Sequence, residues 1–323
     1  MELVTKKTLR IYSGRSHPKL ADDIAARLGV PLGEVNVRDF PNGEIHCQYG
    51  ENIRGADVFI IQTHCGRVND SIMEQLIMID AAKRASAKRI TAVCPLYGYA
   101  RQDRKAEGRE PIAAKLVADL LTVAGASRML SVDLHSGQIQ GFFDKPVDHL
   151  TAMPVLVEYL RREAGDDLVI VAPDAGRVKV AERFSQLLHA DLAFVHKMRP
   201  KGTVSTVEAR GVIGDVDGRR CVVIDDMIDT AGTIVAAGEI LKSRGATEVW
   251  AMATHGLLSD PAVDRLKNSE FERVVITDTV PLPPEKAIDK IEVLSVAKII
   301  AEAIDAVFED TSVSEIFGGQ NQS

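Results

Sequence analysis

The chain has 323 residues, 46% hydrophobic and 26% charged, proportions that suit a folded globular protein with room for two domains. Its 39 basic residues against 46 acidic ones leave a net charge of −7, which argues against a general nucleic-acid or membrane-surface binder but leaves local basic clusters open. Cys47, Cys65, Cys94 and Cys221 are scattered, with no Cys-x-x-Cys spacing, so neither a disulfide framework nor a structural zinc site is expected. No segment reaches the roughly 18 uninterrupted apolar residues of a membrane span, and MELVTKKTLRIY lacks the apolar core of a signal peptide. A reducing, cytoplasmic location is the expectation.

In chain order, short β-branched runs alternate with stretches of helical period. VFIIQT (58–63) is a strand, SIMEQLIMIDAAKRASA (71–87) a helix, RITAVCP (89–95) a strand and PIAAKLVADLLTVAG (111–125) a helix. RMLSVDL (128–134), LVIVAP (168–173) and LAFVH (192–196) are strands, with GRVKVAERFSQLLHA (176–190) a helix between the last two. CVVIDD (221–226), the helix TIVAAGEILKSRGA (233–246), EVWAMATH (248–255) and RVVIT (273–277) complete the series. Most of the strands are apolar on both faces, as in a parallel sheet covered by helices, and the alternation implies α/β architecture. The halves echo each other. VFIIQT, helix, RITAVCP matches CVVIDD, helix, EVWAMATH, while RMLSVDLHS and LVIVAPDAG are both strands ending at an aspartate and a turn. An internal duplication with a junction near 151–154 is therefore expected, and a polar tail after Phe317 is expected to fray.

The stretch VVIDDMIDTAGTI (222–234) carries the most chemistry. A strand that runs through a tight turn into a helix gathers backbone N–H groups at one point, and the helix N-terminus adds about half a positive charge. Ala231 and Gly232 permit close approach, and the Thr230 and Thr233 hydroxyls can donate, so this is a phosphate cradle. Asp225, Asp226 and Asp229 cannot face that phosphate; like charges about 4 Å apart repel by roughly 4 kcal/mol at an effective dielectric near 20. They must address sugar hydroxyls or a magnesium ion. A pentose 5-phosphate, with a phosphoryl group at one end and a diol at the other, satisfies both halves. The plainer reading makes the acids a strand end and a helix cap; it explains one such residue better than the whole arrangement.

VVIDDMIDTAGTI resembles the phosphoribosyl-diphosphate (PRPP) motif shared by type I phosphoribosyltransferases and ribose-phosphate diphosphokinases, and alone it does not choose between them. Three other stretches do. YGYARQDRKAEGREPI (97–112) sets Arg101, Arg104, Lys105 and Arg109 among Tyr97, Tyr99 and Gln102, which suits a purine with a polyphosphate better than plain solvent. SVDLHSGQIQGFF (131–143) puts His135 just past a strand, near acids, where a ligand or proton-donor role gains weight over a structural one. HKMRPKGTVSTVE (196–208) carries Lys197 and Arg199 into a Pro/Gly/Thr stretch expected to lack fixed structure and able to close over a reacting phosphate chain. With RASAK, IQGFF and SVSEIF, the similarity runs from about residue 8 to 317, and the chain resembles class I ribose-phosphate diphosphokinases (PRPP synthetases).

That resemblance implies two similar phosphoribosyltransferase-like domains, each a mainly parallel sheet flanked by helices. Residues 1–150 would form the ATP-binding domain and 151–302 the ribose-5-phosphate-binding domain, with the segment about 303–317 packing back on the first. ATP would meet Phe40, Asn42, Gly43 and Glu44 of FPNGE, and Arg101, Gln102, Asp103 and Lys105. The pentose phosphate would meet Arg199, Asp225, Asp226, Asp229, Thr230, Ala231, Gly232 and Thr233. His135 and Asp174 would hold Mg2+, with contact through His135 loose or water-mediated, and Lys197, Arg199 and His135 would be catalytic. The implied reaction is transfer of a diphosphoryl group from ATP to the 1-hydroxyl of ribose 5-phosphate, giving PRPP and AMP; no residue stands out as general base. The implied assembly is a homohexamer inhibited by ADP or inorganic phosphate at Asn52, Arg54, Ser312, Ser314 and Phe317. Three departures weaken parts of this: Gly176-Arg177 replaces a glycine pair, SVSEIF replaces SVSYLF, and Asn52 replaces a serine. The rivals are a phosphoribosyltransferase consuming PRPP, a silent synthetase-associated subunit, which has no need to keep His135, Asp174, Lys197 and Arg199, and an RNA-binding regulator, which the acidic charge disfavours.

Overall fold

The structure is a computed structural model that describes residues 7–165, 167–198 and 209–317. Its chain divides into two compact units: one runs to Thr151 and takes in Thr279–Pro281 and the chain from Val296 on, the other is Ala152–Asp278 with Leu282–Ser295. Among the described residues no helix is long and apolar enough to cross a membrane.

The first unit holds β1 (Leu9–Ser13), α1 (Pro18–Leu28), β2 (Val35–Asp39), β3 (Ile45–Tyr49), β4 (Asp57–Ile61), α2 (Val68–Arg84), β5 (Arg89–Cys94), α3 (Ala113–Ala124), β6 (Arg128–Val132) and β7 (Val147–Leu150). Its five-stranded sheet has the order β1-β4-β5-β6-β7, parallel throughout. Every residue of β4 is buried, as is β5 beyond its first residue, which is why these runs are apolar without alternation. The second sheet of this unit is the antiparallel hairpin β2–β3, whose turn is FPNGE. Arg15 fixes the turn end of the hairpin, pairing with Asp39 at 2.7 Å and with the buried carboxylate of Glu74 on α2 at 2.6 Å.

The second unit holds α4 (Met153–Glu163), β8 (Leu168–Ala172), α5 (Val178–Leu188), β9 (Asp191–Met198), β10 (Ala209–Ile213), β11 (Arg220–Ile228), α6 (Gly232–Ser243), β12 (Glu248–Gly256), α7 (Ala262–Lys267), β13 (Arg273–Thr277) and β14 (Ile291–Leu294). Its seven strands run β10-β9-β8-β11-β12-β13-β14, all parallel except β10, which pairs antiparallel with β9. Val169, Val171, Val223, Leu241, Ala251 and Val274 belong to one buried cluster between this sheet and its helices. The last helix, α8 (Ala297–Glu309), returns to the first unit and packs against α1.

Both units are thus parallel sheets flanked by helices, as expected. Within each, β4-α2-β5 and β11-α6-β12 occupy equivalent places, so the first of the two sequence echoes is real. The second is not: β6 is fourth of five in its sheet order, whereas β8 precedes β11 in the second sheet as β1 precedes β4 in the first. A strand that ends at an aspartate and a turn is a common outcome of the α/β pattern and does not mark equivalence. The polar tail after Phe317 lies outside the described residues.

Candidate active site

In the second unit β11 runs past the expected end at Asp226 and continues to Ile228. Asp225 and Asp226 are therefore inside the second half of the strand, not beyond it. Thr230 and Asp229 lead out of the strand, and Ala231 reverses the chain in the left-handed region (φ 60°, ψ 3°), after which α6 begins at Gly232. A non-glycine residue there costs roughly 1–2 kcal/mol. What the turn provides is a helix whose first amide groups have no intrahelical acceptor, preceded by an alanine that offers no side-chain oxygen to cap them. The backbone half of the expected phosphate cradle is present. Arg265, on α7, adds a charge the sequence reading missed: its Nη1 donates to the Thr230 carbonyl at 2.8 Å and would lie 3.2 Å from a Cβ added at Gly232. In DRLK its spacing reads only as a solvated helix face, so no local signal marked it.

The acids beside the turn face a cation of the chain itself. Arg177 Nε lies 3.0 Å from Asp225 Oδ1 and its Nη2 2.6 Å from Asp226 Oδ1. Asp225 Oδ1 also accepts the Asp226 N–H at 2.8 Å. The three side chains are 14%, 18% and 7% exposed for Arg177, Asp225 and Asp226. Burial, and next the neighbouring Asp226 charge, push the Asp225 carboxyl up to about 7, while Arg177 pulls the other way. Asp225 is thus poised near neutrality.

Asp174 follows β8 and is exposed; its Oδ1 accepts the Gly176 N–H at 2.8 Å and so closes the turn Ala175–Arg177 that starts α5. Lys197 lies at the end of β9, its backbone in register with Arg210 of β10. Arg199 and the rest of the stretch expected to lack fixed structure lie outside the described residues.

In the first unit the basic stretch 97–112 leaves the end of β5 and enters α3. Its start is anchored below: the Gly98 N–H donates to His64 Nδ1 at 2.9 Å, which leaves the His64 proton on Nε2 for Gln75 Oε1, 2.9 Å away. Burial holds His64 neutral, its pKa down to about 4. Further along, the Glu110 carboxylate accepts the Ala106 and Glu107 N–H groups at 2.7 and 3.0 Å. This leaves Arg101, Gln102, Arg104, Lys105 and Arg109 exposed, with Asp103 half-buried. One expectation is corrected. Tyr97 is 2% exposed, donates its hydroxyl to the Ala114 carbonyl at 2.8 Å and packs against Phe143, so it supports the loop from inside and cannot stack on a purine. Tyr99 is partly buried, its hydroxyl donating to Asn69 Oδ1.

The FPNGE turn is tied across its mouth by Phe40 N–H to the Glu44 carbonyl at 2.7 Å and Gly43 N–H to the Phe40 carbonyl at 2.8 Å. Gly43 has φ +89°, and Asn42 Oδ1 accepts the Glu44 N–H. Phe40 is exposed, under the guanidinium of Arg38 and edge-on to His46, an aromatic face open to a planar ligand. His135 is half-buried in the loop after β6, where Leu134 N–H donates to His149 Nε2 and Asp133 takes φ +38°. Asn52 and Arg54 are exposed, the Asn52 Oδ1 accepting the Arg54 N–H at 3.0 Å. Ser312 is exposed just before the short turn Val313–Phe317 and Ser314 is exposed within it.

Among the described residues no three His, Cys, Asp or Glu side chains gather as a metal cage. The expected donors are one exposed carboxylate with a hard oxygen, Asp174, and one imidazole, His135. Taken by itself in the second unit, Asp174 suits a small ion that keeps its waters and shares carboxylates with phosphate oxygens; taken by itself in the first, the His135 imidazole does not suit a stripped, nitrogen-bound metal.

Two family models match the chain: the N-terminal domain of ribose phosphate pyrophosphokinase over residues 9–125, and the phosphoribosyl synthetase-associated domain over residues 197–318. A Bifidobacterium longum protein named ribose-phosphate pyrophosphokinase is 57% identical over 315 residues, 96% of this chain and 93% of its own. A Streptomyces avermitilis protein of the same name is 55% identical, covering 98% of each chain. The crystal structure of phosphoribosylpyrophosphate synthetase from Mycobacterium smegmatis superposes with a TM-score of 0.89 at 50% identity, over 94% of this chain and 99% of that one.

Proposed function

Since the chain belongs to the ribose-phosphate pyrophosphokinase family of enzymes, we propose that it transfers the β,γ-diphosphoryl group of ATP to the 1-hydroxyl of ribose 5-phosphate, releasing PRPP and AMP. The observation that supports this most is the juxtaposition in the second unit of uncapped helix amides at 231–233 with the acid pair 225–226. The amides, with the Thr230 and Thr233 hydroxyls, suit a terminal phosphoryl group, and the acids suit ring hydroxyls. The second unit would then take ribose 5-phosphate, and the first unit ATP, through the Phe40–Glu44 turn and Arg101, Gln102, Asp103 and Lys105.

In the reaction the 1-hydroxyl oxygen forms a bond to the β-phosphorus, the bond from that phosphorus to the α,β-bridging oxygen breaks, and the electron pair leaves with AMP. Such transfers need alignment and charge neutralisation more than covalent help. Asp225 and Asp226 orient the sugar so that its 1-hydroxyl is presented to the triphosphate, while Asp229 lies at the start of the phosphate turn. Lys197, near the end of β9, and Arg199, which follows that strand in the sequence, neutralise charge on the phosphate chain, and His135 supports the same end. Asp174, with His135 acting through water, would hold Mg2+, which when bound would supply further charge neutralisation on the nucleotide. The four cysteines are free, which suits a reducing, cytoplasmic setting.

We also propose a homo-oligomer, a hexamer by family resemblance, with ADP or phosphate as inhibitor at Asn52, Arg54, Ser312, Ser314 and Phe317. Ile112, Leu116, Leu120 and Val123 support assembly: they are 38%, 57%, 41% and 75% exposed along one face of α3, and an apolar stripe of this kind marks a buried interface more often than a solvated face. The test of the reaction is AMP release from ATP with and without ribose 5-phosphate, repeated with ADP and phosphate added. AMP that depends on the pentose is expected; AMP formation indifferent to it, or none, would exclude the assignment.

A further inference from the structure

Arg177 bridges the two carboxylates expected to hold the sugar. It ends the turn that Asp174 closes and sits at the N-terminus of α5. A cation there opposes the helix dipole, and α5 has no acidic residue in its first turn to offset it. Asp225 and Asp226 are among the partners that hold it. Its fork meets one oxygen of each, at 3.0 and 2.6 Å, in a site where all three side chains are more than four-fifths buried. Arginine's planar donors suit such two-point bridging; a lysine's point charge does not.

Resting on the reading that these acids hold the pentose, we propose that Arg177 is a positioning residue for ribose 5-phosphate, fixing Asp225 and Asp226 in the orientation and charge that receive its hydroxyls. Adjacent carboxylates at a strand end repel, and burial favours a proton on one of them. A protonated carboxyl is a weaker acceptor for a sugar hydroxyl than an ionised one. The groups that shape the Asp225 charge are burial, Asp226 on its own strand and Arg177 from the start of α5. Arg177 and the Asp226 N–H favour the ionised form, and of the two only Arg177 brings a charge. The opposite role, an internal cation that competes with the sugar for the acids, predicts the opposite kinetics.

The test compares wild type, Arg177→Met and Arg177→Lys for both substrates between pH 6.5 and 9. For Arg177→Met at pH 7.5 the expected result is a KM for ribose 5-phosphate raised about tenfold or more, with the KM for ATP and kcat within about threefold. That KM should fall back as pH rises and Asp225 ionises without help. Arg177→Lys, which keeps the charge but not the fork, should lie between the two at pH 7.5. An unchanged or lowered pentose KM, or an equal rise in both KM values at every pH, would overturn the proposal. If wild type itself makes no AMP from ATP and ribose 5-phosphate, the reading of the site fails; if it does and Arg177→Met binds the pentose normally, only the role of Arg177 fails.

Discussion

Asp225→Asn should make the protein more stable and less able to hold its sugar, and the gain should depend on pH. Burial and the Asp226 charge raise the Asp225 carboxyl from its ordinary 3.8 to about 7. Between those values the folded state holds a proton that the unfolded state has released, so stability falls as pH rises through the window and levels off above about 7. At about 1.4 kcal/mol per pH unit the total is at most roughly 4 kcal/mol. Asparagine does not titrate, and its amide oxygen can still accept the Asp226 and Arg177 donors. The variant should therefore match wild type near pH 4 and exceed it by several degrees, up to about 10 °C in Tm, at pH 8. Calorimetric unfolding of both proteins from pH 4.5 to 8.5 reads this directly. A difference in Tm that stays flat over that range, or that favours wild type at pH 8, would refute the argument. Alongside the gain, affinity for ribose 5-phosphate should drop, as when a strained functional site is relieved.

Gly98→Ala would place a Cβ 2.9 Å from His64 Cβ and about as close to Ile72 and Val68, costing about 1–3 kcal/mol and raising the KM for ATP more than that for ribose 5-phosphate, measurable by denaturant titration and steady-state kinetics. Arg89→Ala would strip the buried Asp57 carboxylate of both its charged hydrogen bonds, at 2.8 and 2.6 Å. Because Arg89 is itself a third exposed, the loss should be about 2–4 kcal/mol in urea unfolding, below that of a fully buried pair. Lys197→Ala should lower turnover by orders of magnitude, as loss of one preorganised cation costs about 3–4 kcal/mol of barrier, with ribose 5-phosphate binding by calorimetry nearly kept; unchanged turnover would remove Lys197 from the chemistry.

The parallel strands were legible because burial on both faces gives β4, β5, β8 and β11 runs of apolar residues that do not alternate with polar ones. The hairpin β2–β3 escaped because VNVRD and IHCQY are short, half-exposed and mixed in polarity, and β1, β7 and β14 have only four or five residues each. The phosphate turn was legible from Thr-Ala-Gly-Thr after a strand, a purely local pattern. What occupies the neighbouring acids was not. Arg177 lies 48 positions before Asp225 in the sequence, and only the pairing of β8 with β11 brings the start of α5 to that strand's end. Arg265 was hidden for the same reason. Tyr97 misled because aromatic residues inside a basic stretch look alike whether they face a base or the core.

The most direct measurement is a crystal structure with ribose 5-phosphate bound. The account predicts the phosphate oxygens within hydrogen-bond reach of the amides at 231–233 and the Thr230 and Thr233 hydroxyls, with ring hydroxyls on Asp225 and Asp226 and Arg177 still bridging the two acids. A pentose bound elsewhere, or held at 225–233 with its phosphate toward the carboxylates, would contradict it.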